Sequence, residues 1–215
     1  GVIQQAEWLN EDGMAEEVAV KLYKGELTSD GSPLNEMAAC IAAGQHPNLI
    51  PVAGRVSGHP QHARGLVMAL ISPRYITLAR PPSLESCTRD VYSGTHLRLE
   101  TLQQMAHGIA AACQHLHARG INHGDLYAHN ILWEEHGESL LGDFGAAAFY
   151  PDAQTGALLE RIEVRAFGIL LEELLACCAA GDADTARLRE LIERCVQPQV
   201  TKRPGFAEVL GSLAV

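Results

Sequence analysis

Three oxygen-bearing side chains stand out by type and spacing: Asp125, Asn130 and Asp143. Asp125 and Asn130 lie five residues apart in His123-Gly124-Asp125-Leu126-Tyr127-Ala128-His129-Asn130, and Asp143 follows thirteen residues after Asn130 in Asp143-Phe144-Gly145. The first spacing suits one loop, and the second a hairpin leading into another loop. Such a layout puts one carboxylate beside an attacking hydroxyl and leaves an amide and a second carboxylate for a cation. Mg²⁺ takes oxygen ligands of this kind, commonly one or two carboxylates together with substrate phosphates. The chemistry this set suits is phosphoryl transfer, which needs the phosphates held, their charge neutralised and the hydroxyl aimed.

A fourth residue points the same way. Lys21 stands in the apolar run Val18-Ala19-Val20-Lys21-Leu22-Tyr23. A buried ammonium is costly unless it is paired. Glu36, on the first expected helix, is the natural partner, and the pair would aim Lys21 at phosphate groups.

The elements that must position these residues can be read from pattern. Residues 1–23 form an expected hairpin, with strands over 3–9 and 18–23 around the turn Asn10-Glu11-Asp12-Gly13, where glycine supplies a positive φ. A Gly/Ser/Pro-rich loop over 25–33 leads to a helix over 34–43, stopped by Gly44. Two β-rich runs, 49–56 and 65–71, flank the polar turn His59-Pro60-Gln61-His62. The stretch 72–82 carries three prolines and reads as a linker between lobes. Beyond it Leu102, Met105, Ala106, Ile109, Ala112, Cys113 and Leu116 recur at helical steps, giving a helix over about 99–118, ended by Gly120. Runs 131–133 and 140–142 suit a hairpin around His136-Gly137. A helix over 163–178 is apolar nearly all round and is expected to be buried. An amphipathic helix over 185–196 and a last helix over 206–213 complete the chain. The fold class is therefore α+β: a small antiparallel sheet with one helix, then a mainly helical lobe.

Together the motifs resemble the eukaryotic-type protein kinase family. Val18-Ala19-Val20-Lys21, Glu36, His46-Pro47-Asn48-Leu49-Ile50, His123-x-Asp125-x-x-x-x-Asn130, Asp143-Phe144-Gly145 and Lys202-Arg203-Pro204-x-Phe206 occur in that family's order and spacing. The resemblance implies a two-lobe fold, with a nucleotide-binding lobe at 1–71, a hinge at 72–82 and a catalytic helical lobe at 83–215. It implies ATP and Mg²⁺ as cofactors and a protein hydroxyl, Ser/Thr rather than Tyr, as acceptor. Asp125 would be the catalytic base, Lys21 would hold the α- and β-phosphates while paired with Glu36, and Asn130 with Asp143 would hold Mg²⁺. Gly1 resembles the last glycine of the phosphate-covering loop, and Ile3 would lie above the adenine. Ala19 and Leu132 would sandwich the base, Met68 resembles the gatekeeper, and Ala69, Leu70 and Ile71 the hinge whose backbone bonds adenine. Arg203 resembles a structural arginine whose usual acidic partner is not evident.

Departures from the family pattern are equally specific. Gly124 replaces the arginine that normally answers a phosphate on the activation segment, so activity is not expected to depend on such a phosphate. Tyr127 replaces the lysine two residues after the base. Only about twenty residues separate Asp143-Phe144-Gly145 from the buried helix, and no Ala-Pro-Glu follows, so the peptide-docking surface is shortened. On that helix Glu163 stands where the family has aspartate, and Arg165 where it often has tryptophan. Two alternatives follow. One is a pseudokinase or scaffold that binds without turnover. The other is a small-molecule phosphotransferase of the aminoglycoside-kinase type, which shares the His-Gly-Asp form.

Composition bounds the rest. The chain has 215 residues, is 47% hydrophobic and only 20% charged, and so is long and apolar enough for a folded core. Its formal net charge of −10 disfavours nucleic acid as a partner. No apolar run reaches the roughly 18 residues that cross a bilayer. Gly1-Val2-Ile3-Gln4-Gln5-Ala6 is no signal peptide and has no initiator Met, so the chain is expected to begin inside a longer protein, with the first strand and first glycines of the nucleotide loop upstream. The six cysteines form no Cys-x-x-Cys pair and are expected as buried, reduced thiols of a cytoplasmic protein. His115, His117 and His123 are expected on the surface or in loops rather than at a zinc ion.

Overall fold

The computed structural model describes residues 1–9, 12–23 and 32–214. Asn10 and Glu11 of the expected turn, and residues 25–31 of the expected loop, lie outside the described residues.

The first part of the chain forms β1 (Val2–Leu9), β2 (Ala15–Leu22), α1 (Pro33–Ala43), β3 (Val52–Arg55) and β4 (Gly65–Ala69). The four strands make one antiparallel sheet in the order β1-β2-β4-β3. β2 is therefore internal, flanked by β1 and β4, which explains why its second half reads as an apolar run. Local chemistry sets the limits of α1. Ser32 caps it by accepting the Leu34 N–H, Pro33 occupies the first helical turn where its missing N–H costs nothing, and Gly44 ends it at φ 64°. The strand expected over 49–56 is shorter than its β-rich sequence. Leu49 and Ile50 leave the sheet because Leu49 bridges to Leu141 and the Ile50 N–H bonds the Leu141 carbonyl.

The remainder forms β5 (Ile76–Thr77), α2 (Leu99–His117), β6 (Ile121–Asn122), β7 (Ile131–Trp133), β8 (Ser139–Leu141), β9 (Ala148–Phe149), α3 (Ala153–Ala176), α4 (Asp182–Cys195) and α5 (Phe206–Leu213). The proline-bearing stretch after β4 is no bare tether. β5 pairs with β7, and Leu78 and Ala79 are buried. The expected hairpin is β7–β8. The pair β6–β9 was not legible in pattern, because two residues per strand carry no periodicity.

α3 begins ten residues before its expected start. Asp152 caps it, accepting the Thr155 N–H at 2.8 Å and the Thr155 hydroxyl at 2.8 Å. The extra turns expose Leu158 and Ile162, so they lack the apolar pattern of the later turns. From Val164 one face of the helix, not its whole circumference, is buried, with Phe167, Leu170, Leu171 and Leu174 against Met105, Ile109 and Leu116 of α2 in one core, while Arg165 and Glu172 are exposed. α4 likewise starts earlier, at Asp182 rather than near Thr185.

Two other expectations need correction. Of the histidines expected on the surface or in loops, His123 lies in a loop as expected but is fully buried there, while His117, on α2, is closed in by Glu163 and Phe206. No group of metal-ligating side chains gathers around them among the described residues. The six thiols are free, but Cys87 is exposed and Cys177 and Cys178 are half-buried. No helix among the described residues is long and apolar enough to cross a membrane.

Candidate active site

Lys21 lies on the internal strand β2, where the polypeptide cannot turn it away from the site. Its Nζ is 2.5 Å from Glu36 Oε1 on α1 and 3.7 Å from Asp143 Oδ1. Burial opposes the Lys21 ammonium, but the Glu36 hydrogen bond and the charges of Asp143 and Glu36 outweigh it, so its pKa is raised. Lys21 is thus held charged between a structural carboxylate and one that is half exposed.

The stretch 123–130 follows β6 and ends in a 3₁₀ turn over Ala128–Asn130. Asn130 Nδ2 donates to the Asp125 carbonyl at 3.0 Å and to Asp125 Oδ2 at 2.8 Å. That clamp fixes the Asp125 carboxylate and turns the Asn130 amide oxygen away from it. His123 ties the stretch to the segment after β8. Its Nε2 donates to the Gly142 carbonyl at 2.9 Å, which leaves Nδ1 to accept the Asp125 N–H at 3.4 Å. These two bonds place a ring proton on Nε2. Phe144, buried, packs edge-to-face on it at 5.1 Å. Asp143 itself sits at φ 53° and accepts the Gly145 N–H through Oδ1 at 3.2 Å. Its Oδ2 has no hydrogen bond among the described residues.

The nucleotide positions expected by resemblance fall on the sheet and its exit. Gly1 lies close over β2: a Cβ there would stand 3.1 Å from the Leu22 carbonyl and 3.6 Å from Lys21 Cε. Ile3 is opposite Lys21 in the β1–β2 register and is exposed. Ala19, buried, is opposite Met68 in the β2–β4 register. Leu132 is half-buried on β7. Of the expected hinge, the Ala69 N–H is already bonded to the Pro51 carbonyl at 2.9 Å. The N–H groups of Leu70 and Ile71 have no backbone partner among the described residues.

Gly124 and Glu163 take a meaning the sequence did not supply. Gly124 has φ 78°, and a Cβ there would stand 2.5 Å from the Ala146 carbonyl oxygen, well inside van der Waals contact. The backbone after Asp143-Phe144-Gly145 therefore occupies the space a side chain at this position would need. Two features staple that backbone down: the β6–β9 pairing and the Tyr150 N–H bond to the Gly120 carbonyl at 2.8 Å. Glu163, buried on α3, accepts the Gly124 N–H at 2.8 Å and the His123 N–H at 3.3 Å, and its Oε2 is 2.7 Å from His117 Nε2. Burial pushes its pKa up, but His117, His123 and the Gly124 N–H outweigh burial, so the net shift is downward.

Two further residues were missed, Asp90 and Arg89, and the partners of a third, Arg203, were not evident. Asp90, buried, accepts the Ala128 N–H at 2.9 Å, the His129 N–H at 3.1 Å and His129 Nδ1 at 2.6 Å. It anchors the far end of the 123–130 stretch from 38 residues away, in a segment without periodicity. Arg89 stacks on the Tyr127 ring at 4.3 Å and donates to the Leu126 carbonyl at 3.1 Å. Arg203, for which no acidic partner was evident, donates to the Gln197 carbonyl at 2.8 Å and the Arg161 carbonyl at 3.0 Å.

This geometry agrees with what known proteins resemble the chain. The family model described as protein tyrosine and serine/threonine kinase matches residues 1–166, and the chain belongs to that family. Among its curated relatives, a dual specificity protein kinase of Dictyostelium discoideum is 23% identical over 91% of the chain and 16% of its own length. A probable LRR receptor-like serine/threonine-protein kinase of Arabidopsis thaliana is 27% identical over 74% of the chain and 29% of its own length. A CBL-interacting protein kinase of Oryza sativa is 33% identical over 43% of the chain and 20% of its own length. The chain thus spans less than a third of the length of these relatives.

Proposed function

We propose that this chain is the catalytic domain of an ATP- and Mg²⁺-dependent protein kinase that transfers the γ-phosphoryl group to a serine or threonine hydroxyl of a protein. The observation that carries the reading is the intact polar chain from Glu36 through Lys21 to Asp143, together with a clamped Asp125–Asn130 pair tied to the residue before Asp143 by the Gly142 N–H donating to the Asn130 carbonyl at 3.0 Å. A binding module without turnover has no need to hold five such groups together. Residues 1–71 would serve as the nucleotide lobe, 72–82 as the hinge and 83–215 as the catalytic lobe.

The donor set fits a divalent cation. Asn130 directs its amide N–H groups at Asp125, which frees its oxygen, and Asp143 keeps Oδ2 unbonded. Asn130 and Asp143 would hold Mg²⁺, which when bound neutralises charge developing on the phosphates. Lys21 would grip the α- and β-phosphates, its charge secured by Glu36. Ala19, Met68 and Leu132 would enclose the adenine, with Ile3 above it and Gly1 near the phosphates. The free Leu70 and Ile71 backbone groups would bond its edge. Asp125, with Oδ2 held by Asn130, would use Oδ1 to orient the acceptor hydroxyl and take its proton. The six free thiols support a reducing, cytoplasmic setting.

Purified protein with labelled ATP and Mg²⁺ tests this. Label should enter the protein itself or generic protein acceptors, and Asp125→Ala and Asp143→Ala should each abolish it. Transfer by the wild type that survives either substitution refutes the assignment of that residue. Absence of transfer by the wild type refutes the kinase reading.

A further inference from the structure

Beside the catalytic stretch lies a cleft of about 340 Å³, bounded by Gly124, Leu126 and Tyr127 on one side and by the face of α3 on the other. Gly124 and Leu126 are the neighbours of Asp125, so an acceptor lying here would reach the proposed base. The wall from α3 carries Ile162, Arg165 and Ile169, and Leu158 continues the same helical face one turn earlier. The run from Leu158 to Ile169 is about 16 Å long at 1.5 Å per residue, the length of roughly five extended residues. That is a strip, suited to a polypeptide segment more than to a single metabolite.

Its walls carry two cations. The chain carries a net charge of −10, yet the cleft presents Arg89 and Arg165. Arg89 is partly committed, with Nη1 3.6 Å from Glu173 and Nη2 on the Leu126 carbonyl. Its Nη1 is shut off from solvent and makes no hydrogen bond. Arg165 is exposed and has neither a hydrogen bond nor an ion pair among the described residues. The one carboxylate in the wall, Glu163, has both oxygens occupied by His117 and by the backbone of His123 and Gly124. Among the described lining residues Arg165 is therefore the charge left to a ligand, with Ile162, 56% exposed, beside it.

Resting on the kinase reading, we infer that this strip on α3 receives the acceptor, a protein segment bearing an acidic side chain that meets Arg165 and an apolar one that meets Ile162 and Ile169. In this chain the acceptor is docked by the helix itself, because only eight residues separate Asp143 from the helix cap Asp152.

A binding measurement tests this independently of turnover. Fluorescence anisotropy compares a labelled serine peptide with flanking Glu and Leu residues against the same peptide with Lys for Glu, on the wild type and on Arg165→Glu. The wild type should prefer the acidic peptide, and Arg165→Glu should weaken it by about fivefold or more, reversing an exposed ion pair, while improving the lysine peptide. An unchanged melting temperature certifies the variant's fold. Equal binding of both peptides, or a preference untouched by Arg165→Glu, overturns the inference, even if the wild type transfers phosphate. Selective binding without any transfer overturns the kinase reading and leaves the docking strip standing. Phosphorylation of a small anionic hydroxyl compound, with no peptide bound, overturns the inference.

Discussion

Gly124 offers the sharpest test of how this site is built. Restoring the arginine of the family pattern should damage the domain, and even alanine should do so. A residue with a Cβ at φ 78° is strained by about 1–2 kcal/mol. The Cβ would also meet the Ala146 carbonyl at 2.5 Å, so that backbone must withdraw. Withdrawal strains the β6–β9 pairing and the Tyr150–Gly120 bond. Losing two backbone hydrogen bonds costs about 2 kcal/mol more. The sum, about 3–4 kcal/mol, predicts a melting temperature lower by about 6–16 °C for a domain of this size. If the segment opens without global unfolding, the closed fraction and the transfer rate should instead fall by about 10²–10³. Melting by circular dichroism and initial rates of label transfer read both arms for Gly124→Ala and Gly124→Arg. A Gly124→Ala protein with wild-type melting temperature and rate would refute the close approach as the reason for glycine.

Two other perturbations separate roles. Lys21→Ala leaves Glu36 buried without its cation, so stability should fall by about 3–5 kcal/mol in denaturant unfolding, together with loss of transfer; a protein of unchanged stability would mean Glu36 has another partner. Glu163 has a depressed pKa, so its stabilisation is complete above its ordinary 4.5 and is lost as pH falls through the lower folded value. Glu163→Gln should therefore lower stability at neutral pH and flatten the acid limb of the stability curve, and an acid limb identical to the wild type would exclude Glu163 from it.

Much of the site was legible in the sequence because its parts are local. Asp125 and Asn130 share one loop, and five residues of chain already bring the amide to the carboxylate. Asp143 follows one short hairpin later. A lysine in an apolar strand announces a need for a partner, and Glu36 was the nearest acidic residue on a helix. The alternation and helical periodicity that marked β2, α1, α2 and the later turns of α3 come from one-sided burial, which any chain must encode locally.

What tertiary structure decided depends on contacts that leave no local trace. From sequence, Gly124 was a missing arginine; in the fold it is the position where the backbone at Ala146 closes, and only glycine leaves room. Glu163 was a variant aspartate, yet its role comes from two N–H groups forty residues upstream. Asp90 looked like any polar residue in an irregular segment until the fold set it under Ala128 and His129. The first turns of α3 were missed because a cap and exposed apolar residues, rather than burial, define them. Sequence determined which chemical groups were present and which neighbours along the chain could meet. The tertiary fold decided which distant backbone groups they satisfy, because buried N–H and C=O groups must find partners wherever packing brings them.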